Sequence, residues 1–309
     1  MTIPKQSQKT IIIIGGPTGI GKSKLSMHLA EQLDCPIISA DSRQVYQEIN
    51  IGTAKPSTEE LSRVKHYCVN TTPLTEVYSA GKFEVDADIA IAEAHLKSDY
   101  VIVCGGTGLY INALLNGLDE FPDITDTARA LVAKIEEKSG IEGLVEELQR
   151  VDPVSATSLD LHNTRRIGRA LEVYHSSEIP YSKWKAKKTE KVHNYRILSY
   201  WLNTDRQRLY DKINKRVHTM LDAGWIAEVE GLVHHRSQRA LDTVGYKEIF
   251  KYLDGDMDSN TLVNEIQKQT RRYAKRQITW FGNQYDGTCL TYELSSLELE
   301  SVIMKDLNQ

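Results

Sequence analysis

An α/β fold is what this sequence predicts: a parallel sheet built on a phosphate loop, interrupted by a helical insertion. Three observations carry the prediction. The run Ile11-Ile12-Ile13-Ile14 leads directly into Gly16-Pro17-Thr18-Gly19-Ile20-Gly21-Lys22-Ser23, a complete G-x-x-x-x-G-K-[ST] octet. Short apolar runs then alternate with helical periodicity as far as Cys104. From about 123 to 192 that alternation stops, and only helical spacing remains.

Taken in order, residues 10–14, 36–40 and 99–104 read as buried strands, each a short apolar run bounded by turn signals. Residues 22–33 and 84–97 read as the helices between them. Leu25, Leu29 and Leu33 recur every four residues and form one apolar stripe suited to a sheet. Strands alternating with helices imply parallel pairing and right-handed crossovers. Ala130, Ile135, Leu144, Leu148 and Leu171 place the middle segment on helices. A strand returns at 195–202. Asp205 then caps a helix bearing Leu209, Ile213 and Val217, and a last helix covers about 262–281. The expected organisation is a phosphate-loop core, 1–122 with 193–309, and an insertion domain, 123–192.

The 309 residues are 40% hydrophobic and 26% charged, an ordinary water-soluble composition. The longest apolar runs are strand-sized, and Met1-Thr2-Ile3-Pro4-Lys5 lacks the apolar stretch of a signal peptide, so a cytoplasmic protein without membrane contact is expected. Cys35, Cys68, Cys104 and Cys289 form no CxxC pair, which argues against a zinc or redox motif, and Cys35 and Cys104 read as small core residues. The net charge is −4, but Leu161 to Arg196 holds nine Lys/Arg against three Asp/Glu, a local +6. Charge alone leaves two readings open: a polyanion-binding face and a solvated helical face.

Ligands in parallel sheets bind at the carboxyl ends of the strands. Three segments converge there: the octet, Asp41-Ser42-Arg43-Gln44 and Gly105-Gly106-Thr107-Gly108. Backbone N–H groups of the octet favour an oxyanion, Lys22 adds a point charge, and the Ser23 hydroxyl suits Mg2+. Asp41 is placed for general-base or metal work, the alternative being a turn aspartate that caps the next helix. Phosphate-loop ATPases usually end a strand in an acidic Mg2+ ligand. Here Val101-Ile102-Val103 runs into Cys104-Gly105-Gly106-Thr107, which weighs against that class. One of Arg206, Arg208 and Arg216, all on one helix, is available to neutralise a leaving group, and spacing does not choose between them. Arg165, Arg166 and Arg169, with Tyr174, Tyr181, Trp184 and Tyr195 nearby, suit a splayed RNA loop. Arg271/Lys275 and Arg272/Arg276 are i, i+4 cation pairs whose mutual repulsion an anionic partner would relieve.

These segments occur in a familiar order. After Gly16 to Ser23 come Ser39-Ala40-Asp41-Ser42-Arg43-Gln44-Val45-Tyr46, Ile51-Gly52-Thr53-Ala54-Lys55-Pro56 and Gly105-Gly106-Thr107-Gly108-Leu109-Tyr110. Arg165-Arg166 with Arg169-Ala170-Leu171-Glu172-Val173, Val244-Gly245-Tyr246-Lys247-Glu248 and Arg272-Tyr273-Ala274-Lys275-Arg276-Gln277-Ile278-Thr279-Trp280-Phe281 follow. Together they closely resemble the bacterial tRNA dimethylallyltransferases, also called tRNA isopentenyltransferases, from about residue 10 to 282. The resemblance implies transfer of a dimethylallyl group from dimethylallyl diphosphate to N6 of the adenosine 3′ to the tRNA anticodon. It implies that Asp41 is the base, that Gly16 to Ser23 cradle the diphosphate with Lys22, and that Ser23 holds Mg2+. Thr107 and Arg216 then support the diphosphate and its departure. By the same resemblance, Asp41, Ser42, Arg43, Gln44, Thr107, Arg129, Arg165, Arg166, Ile167, Gly168, Arg169, Val244, Gly245, Tyr246, Lys247, Lys275, Arg276 and Gln277 face tRNA. The insertion grips the anticodon stem-loop, and a monomer is expected. Gly168 departs from the pattern, where a larger apolar residue is usual. Two rival classes share parts of these motifs: an adenylate isopentenyltransferase, which needs no RNA grip, and a phosphate-loop kinase or ATPase.

Overall fold

The computed structural model describes residues 8–185, 191–291 and 296–307. The chain forms two compact units, Met1–Leu115 with Val192–Gln309, and Asn116–Lys191.

In the first unit the chain runs β1 (Thr10–Gly15), α1 (Lys22–Leu33), β2 (Ile37–Ser39), α2 (Thr58–Arg63), β3 (His66–Tyr67), α3 (Ala80–Ala94), β4 (Tyr100–Gly105) and α4 (Gly108–Asn116). The second unit holds α5 (Asp126–Val151), α6 (Pro153–Ser158), α7 (Thr164–Ser177) and α8 (Tyr181–Lys185). The first unit resumes with β5 (Arg196–Asn203), α9 (Arg206–Asp222), α10 (Trp225–Glu230), α11 (Tyr246–Leu253), α12 (Ser259–Gln284), β6 (Thr288–Thr291) and α13 (Ser296–Leu307).

Among the described residues the strands form one parallel sheet in the order β3-β2-β4-β1-β5-β6. The predicted α/β class is therefore observed. Strand β1 lies between β4 and β5, and Ile11 to Ile14 are fully buried. Each such isoleucine contributes about 1.5–3 kcal/mol of apolar transfer. Alternate residues of β1 feed opposite faces: Ile11 and Ile13 join Phe83, Tyr110 and Phe281, while Ile12 and Ile14 join Leu25, Leu29 and Ile213. The predicted cap of α9 forms, with Asp205 Oδ1 accepting the Arg208 N–H at 3.0 Å.

Helix α3 starts at a Ser79 cap, four residues before the predicted start, and α12 starts at an Asp258 cap. The middle segment departs further from its pattern. Gly140 takes φ 60° and ψ −153°, so α5 is two helices joined at a kink. That break shifts the phase of the helical face. Ala130 is exposed, and Ala128 and Val132 are the buried residues of the first half. Leu144, Leu148, Ile167 and Leu171 fill the core of the second unit as their spacing predicts. Among the described residues no helix is long and apolar enough to cross a membrane.

Candidate active site

The phosphate loop joins β1 to α1. Gly16 takes φ 136°, and a Cβ there would stand 2.8 Å from the Leu202 carbonyl oxygen, so both backbone angle and space demand glycine. Gly21 is the N-cap of α1 and no side chain caps it, which leaves first-turn N–H groups available to an oxyanion. Lys22 Nζ donates to Pro17 O at 2.9 Å. Lys22 keeps partial solvent exposure, yet its ammonium is closely surrounded by protein. That desolvation lowers its pKa to about 8; Arg216 pushes the same way and Asp41 opposes.

Lys22, Ser23, Asp41, Gln44 and Arg216 line one cleft with Cys104. An adjoining cavity shares Ser23, Gln44 and Arg216 and adds Met27, Ile37 and Pro56. Of the three arginines left open by spacing, Arg216 is the one in the cleft. Its Nη1 donates to Thr18 Oγ1 at 3.4 Å, and desolvation lowers its pKa while Asp41 supports its charge. Arg206 turns to Tyr210 Oη instead, at 2.9 Å, and Arg208 is exposed. Cys104, expected in the core, is half-buried and borders the cleft; burial raises its thiol pKa.

Asp41 stands just past β2 and accepts the Arg43 N–H at 2.9 Å on Oδ1. Ala40 accepts the Thr107 N–H at 3.2 Å, and Thr107 Oγ1 accepts the Ser42 N–H at 3.0 Å. These bonds lock the turns after β2 and β4 together. The lock needs Gly105, since a Cβ there would meet Ala40 O at 2.1 Å.

Several residues expected to face RNA are engaged inside the protein. Gln44 Oε1 accepts from Ser39 Oγ at 2.8 Å, while its Nε2 donates to Thr53 O and Ala54 O at 3.2 and 3.0 Å. Gln277 and Tyr246 are buried, and Gly245 packs against Trp225. Val244 is half-buried. In the second unit Ile167 is fully buried and Gly168 half-buried, so neither presents a side chain to a ligand. Arg165, Arg166 and Arg169 are exposed on α7, with Arg169 also lying over the Phe121 ring at 5.7 Å. Arg129 is exposed and pairs with Asp126 at 2.8 Å. In the first unit Lys275 and Arg276 border an open surface hollow with Arg272 and Thr279, and Lys247 is exposed beside Asp242 at 3.0 Å.

Two contributors escaped the sequence reading. The Tyr273 phenol stands near Asp41, and its pKa is raised by desolvation first and by the Asp41 carboxylate next. Tyr273 lies one helical turn before Gln277, in a stretch whose strongest pattern is its run of cations. Glu228 accepts the N–H groups of Asn50 and Ile51 at 2.9 and 2.8 Å and the Tyr246 hydroxyl at 2.6 Å. It thereby fixes the start of the Ile51–Pro56 segment, and nothing local to Glu228 announces that role.

The family model described as IPP transferase matches residues 44–284. This chain belongs to the IPP transferase family. The tRNA dimethylallyltransferase of Flavobacterium johnsoniae is 40% identical over 306 residues, 97% of this chain and 98% of its own. The tRNA dimethylallyltransferase 1 of Bacteroides thetaiotaomicron is 39% identical over 88% of each chain. The crystal structure of the Staphylococcus epidermidis tRNA delta(2)-isopentenylpyrophosphate transferase superposes with a TM-score of 0.70 at 33% identity, covering 97% of this chain and 99% of that one. The cleft described above is thus the phosphate-loop cleft of an IPP transferase. Among the described residues no group of three His, Cys, Asp or Glu is arranged for a metal ion. Magnesium does not require one: it commonly keeps water and substrate phosphate oxygens as most of its ligands. The exposed Ser23 hydroxyl at the cleft wall fits that mode.

Proposed function

We propose that this IPP transferase moves the dimethylallyl group of dimethylallyl diphosphate to N6 of adenosine 37, 3′ to the tRNA anticodon, releasing diphosphate. The observation that carries the reading is the convergence of Lys22, Ser23, Asp41 and Arg216 on one cleft. An exocyclic adenine amine is a weak nucleophile, so the reaction needs a base on one side and a stabilised leaving group on the other. Asp41 takes the N6 proton as the N6–C1 bond forms. The C1–O bond breaks, and its electron pair leaves with the diphosphate. Lys22, the α1 N-terminus and Arg216 receive that charge. Ser23, with diphosphate oxygens and water, would hold a Mg2+ that adds Lewis-acid stabilisation of the same oxygens. Thr107 supports the diphosphate from the β4 side. Met27, Ile37 and Pro56 offer the five-carbon chain an apolar wall.

The adenine must leave its stack to react, at a cost of a few kcal/mol that is smaller in a loop than in a duplex. Cationic surfaces on both units are suited to offset it through phosphate contacts: Arg129, Arg165, Arg166 and Arg169 on one, and Arg43, Lys247, Lys275 and Arg276 on the other. A monomer is sufficient for this scheme, in the cytoplasm where tRNA is. The deciding assay supplies labelled dimethylallyl diphosphate with either an anticodon stem-loop or AMP. Label on the stem-loop is expected; label on AMP alone, or RNA-stimulated ATP hydrolysis without prenyl transfer, would overturn the reading.

A further inference from the structure

One side chain touches both halves of the site. Gln277 on α12 is only 7% exposed. Its Oε1 accepts the Thr18 N–H at 2.9 Å, and its Nε2 donates to the Gly106 carbonyl at 2.8 Å. Each partner leads further. Thr18 also receives Arg216 through its hydroxyl, on the leaving-group side. Gly106 precedes Thr107, which holds the Ser42 N–H beside Asp41, on the acceptor side. The contact exists because residue 106 is glycine: a Cβ there would stand 2.3 Å from Gln277 Nε2. One turn later on the same helix, Trp280 packs where a Cβ on Gly108 would come within 2.3 Å. Helix α12 is therefore seated against residues 106–108 through successive turns, by Gln277 and Trp280.

We propose that Gln277 is a positioning residue that fixes the separation between the phosphate loop and the turn after β4, and so aligns the departing diphosphate with the attacking amine. The inference rests on the transferase reading above. Only a primary amide of this length meets both demands. Glutamate can accept from Thr18 but cannot donate to Gly106, and it sets a carboxylate beside a cleft built for anions. Methionine fills the volume and makes neither bond. A displacement near 1 Å at a reacting centre costs on the order of 10²-fold in rate.

The test uses full-length protein carrying Gln277→Met or Gln277→Glu. The first readout needs no turnover: hydrogen exchange at the Thr18 amide, with circular dichroism to confirm folding. At least tenfold faster exchange is expected in Gln277→Met, which lacks the acceptor, whereas Gln277→Glu keeps the acceptor for Thr18 and should exchange as the wild type does; Gln277→Leu serves if the methionine variant does not fold. Unchanged exchange in a folded methionine or leucine variant overturns the brace. The second readout is steady-state transfer. A kcat lowered ten- to a hundredfold with the stem-loop KM within twofold is expected, as is less-than-additive loss on combining Gln277→Met with Thr107→Val. A raised stem-loop KM at full kcat would make Gln277 an RNA contact and overturn the proposal. If wild-type protein transfers no prenyl group while Thr18 exchange still responds, the brace stands and the transferase reading fails.

Discussion

Asp41 and Lys22 are where single atoms decide the chemistry. Asp41→Asn keeps the side chain's size and its hydrogen bond to the Arg43 N–H but cannot take a proton. Transfer should fall by at least 10²-fold while pyrophosphate still binds by calorimetry; near-normal turnover would remove Asp41 from the mechanism. Lys22 carries a pH signature. Its free-enzyme pKa is near 8, so the cation is lost as pH rises through that value. Because kcat/KM reports the free enzyme, kcat/KM for the prenyl donor should decline above about pH 8. Lys22→Arg, slower throughout, should lack that alkaline limb. A limb unchanged in the arginine variant would assign it to another group. These residues were legible because the octet and the aspartate after β2 are local patterns. Which arginine reaches in was not, because Arg206, Arg208 and Arg216 differ only in where α9 meets the cleft, a tertiary fact.

Helices and strands show the same division. Elements with a strong apolar pattern, such as β1 and α1, were found in the sequence at nearly their observed limits, and α9 at its Asp205 cap and its buried residues Leu209, Ile213 and Val217. Strand β3 has two half-buried residues and β6 has one buried residue, Leu290, so neither carries a pattern of its own; pairing in the sheet defines them. The Gly140 kink hid the face of the first half of α5, since a periodicity read across a break mixes two phases. Helix α7 offers a direct test. Gly168 lies in its interior, and a Cβ there would rest 3.6 Å from Val132 Cγ1, an ordinary contact. Gly168→Ala should stabilise the protein by about 0.5–1 kcal/mol in chemical denaturation, by reducing the entropy of the unfolded chain. A destabilised variant would mean that the glycine is kept for room around it.

Over the molecule as a whole the charge is −4, yet the proposed RNA-facing residues are cationic. Replacing Arg165 and Arg166 by alanine should weaken stem-loop binding and reduce the slope of log K against log salt by about 1–2. An unchanged slope would make both arginines structural. The fold class was legible because strand-helix alternation is a property of long stretches. The internal engagement of Gln44, Gln277 and Tyr246 was not, since their motif positions look the same whether a side chain points inward or outward. The strand order has one more consequence, for synthesis on the ribosome. One edge of β1 pairs with β5, which emerges about ninety residues after β4. Until then that edge of β1 has no partner, and the nascent catalytic unit is exposed to misassembly. The contiguous Asn116–Lys191 unit suffers no such delay and can mature first, so premature termination between the end of that unit and β5 should yield a sound small domain tethered to a sticky, chaperone-dependent fragment.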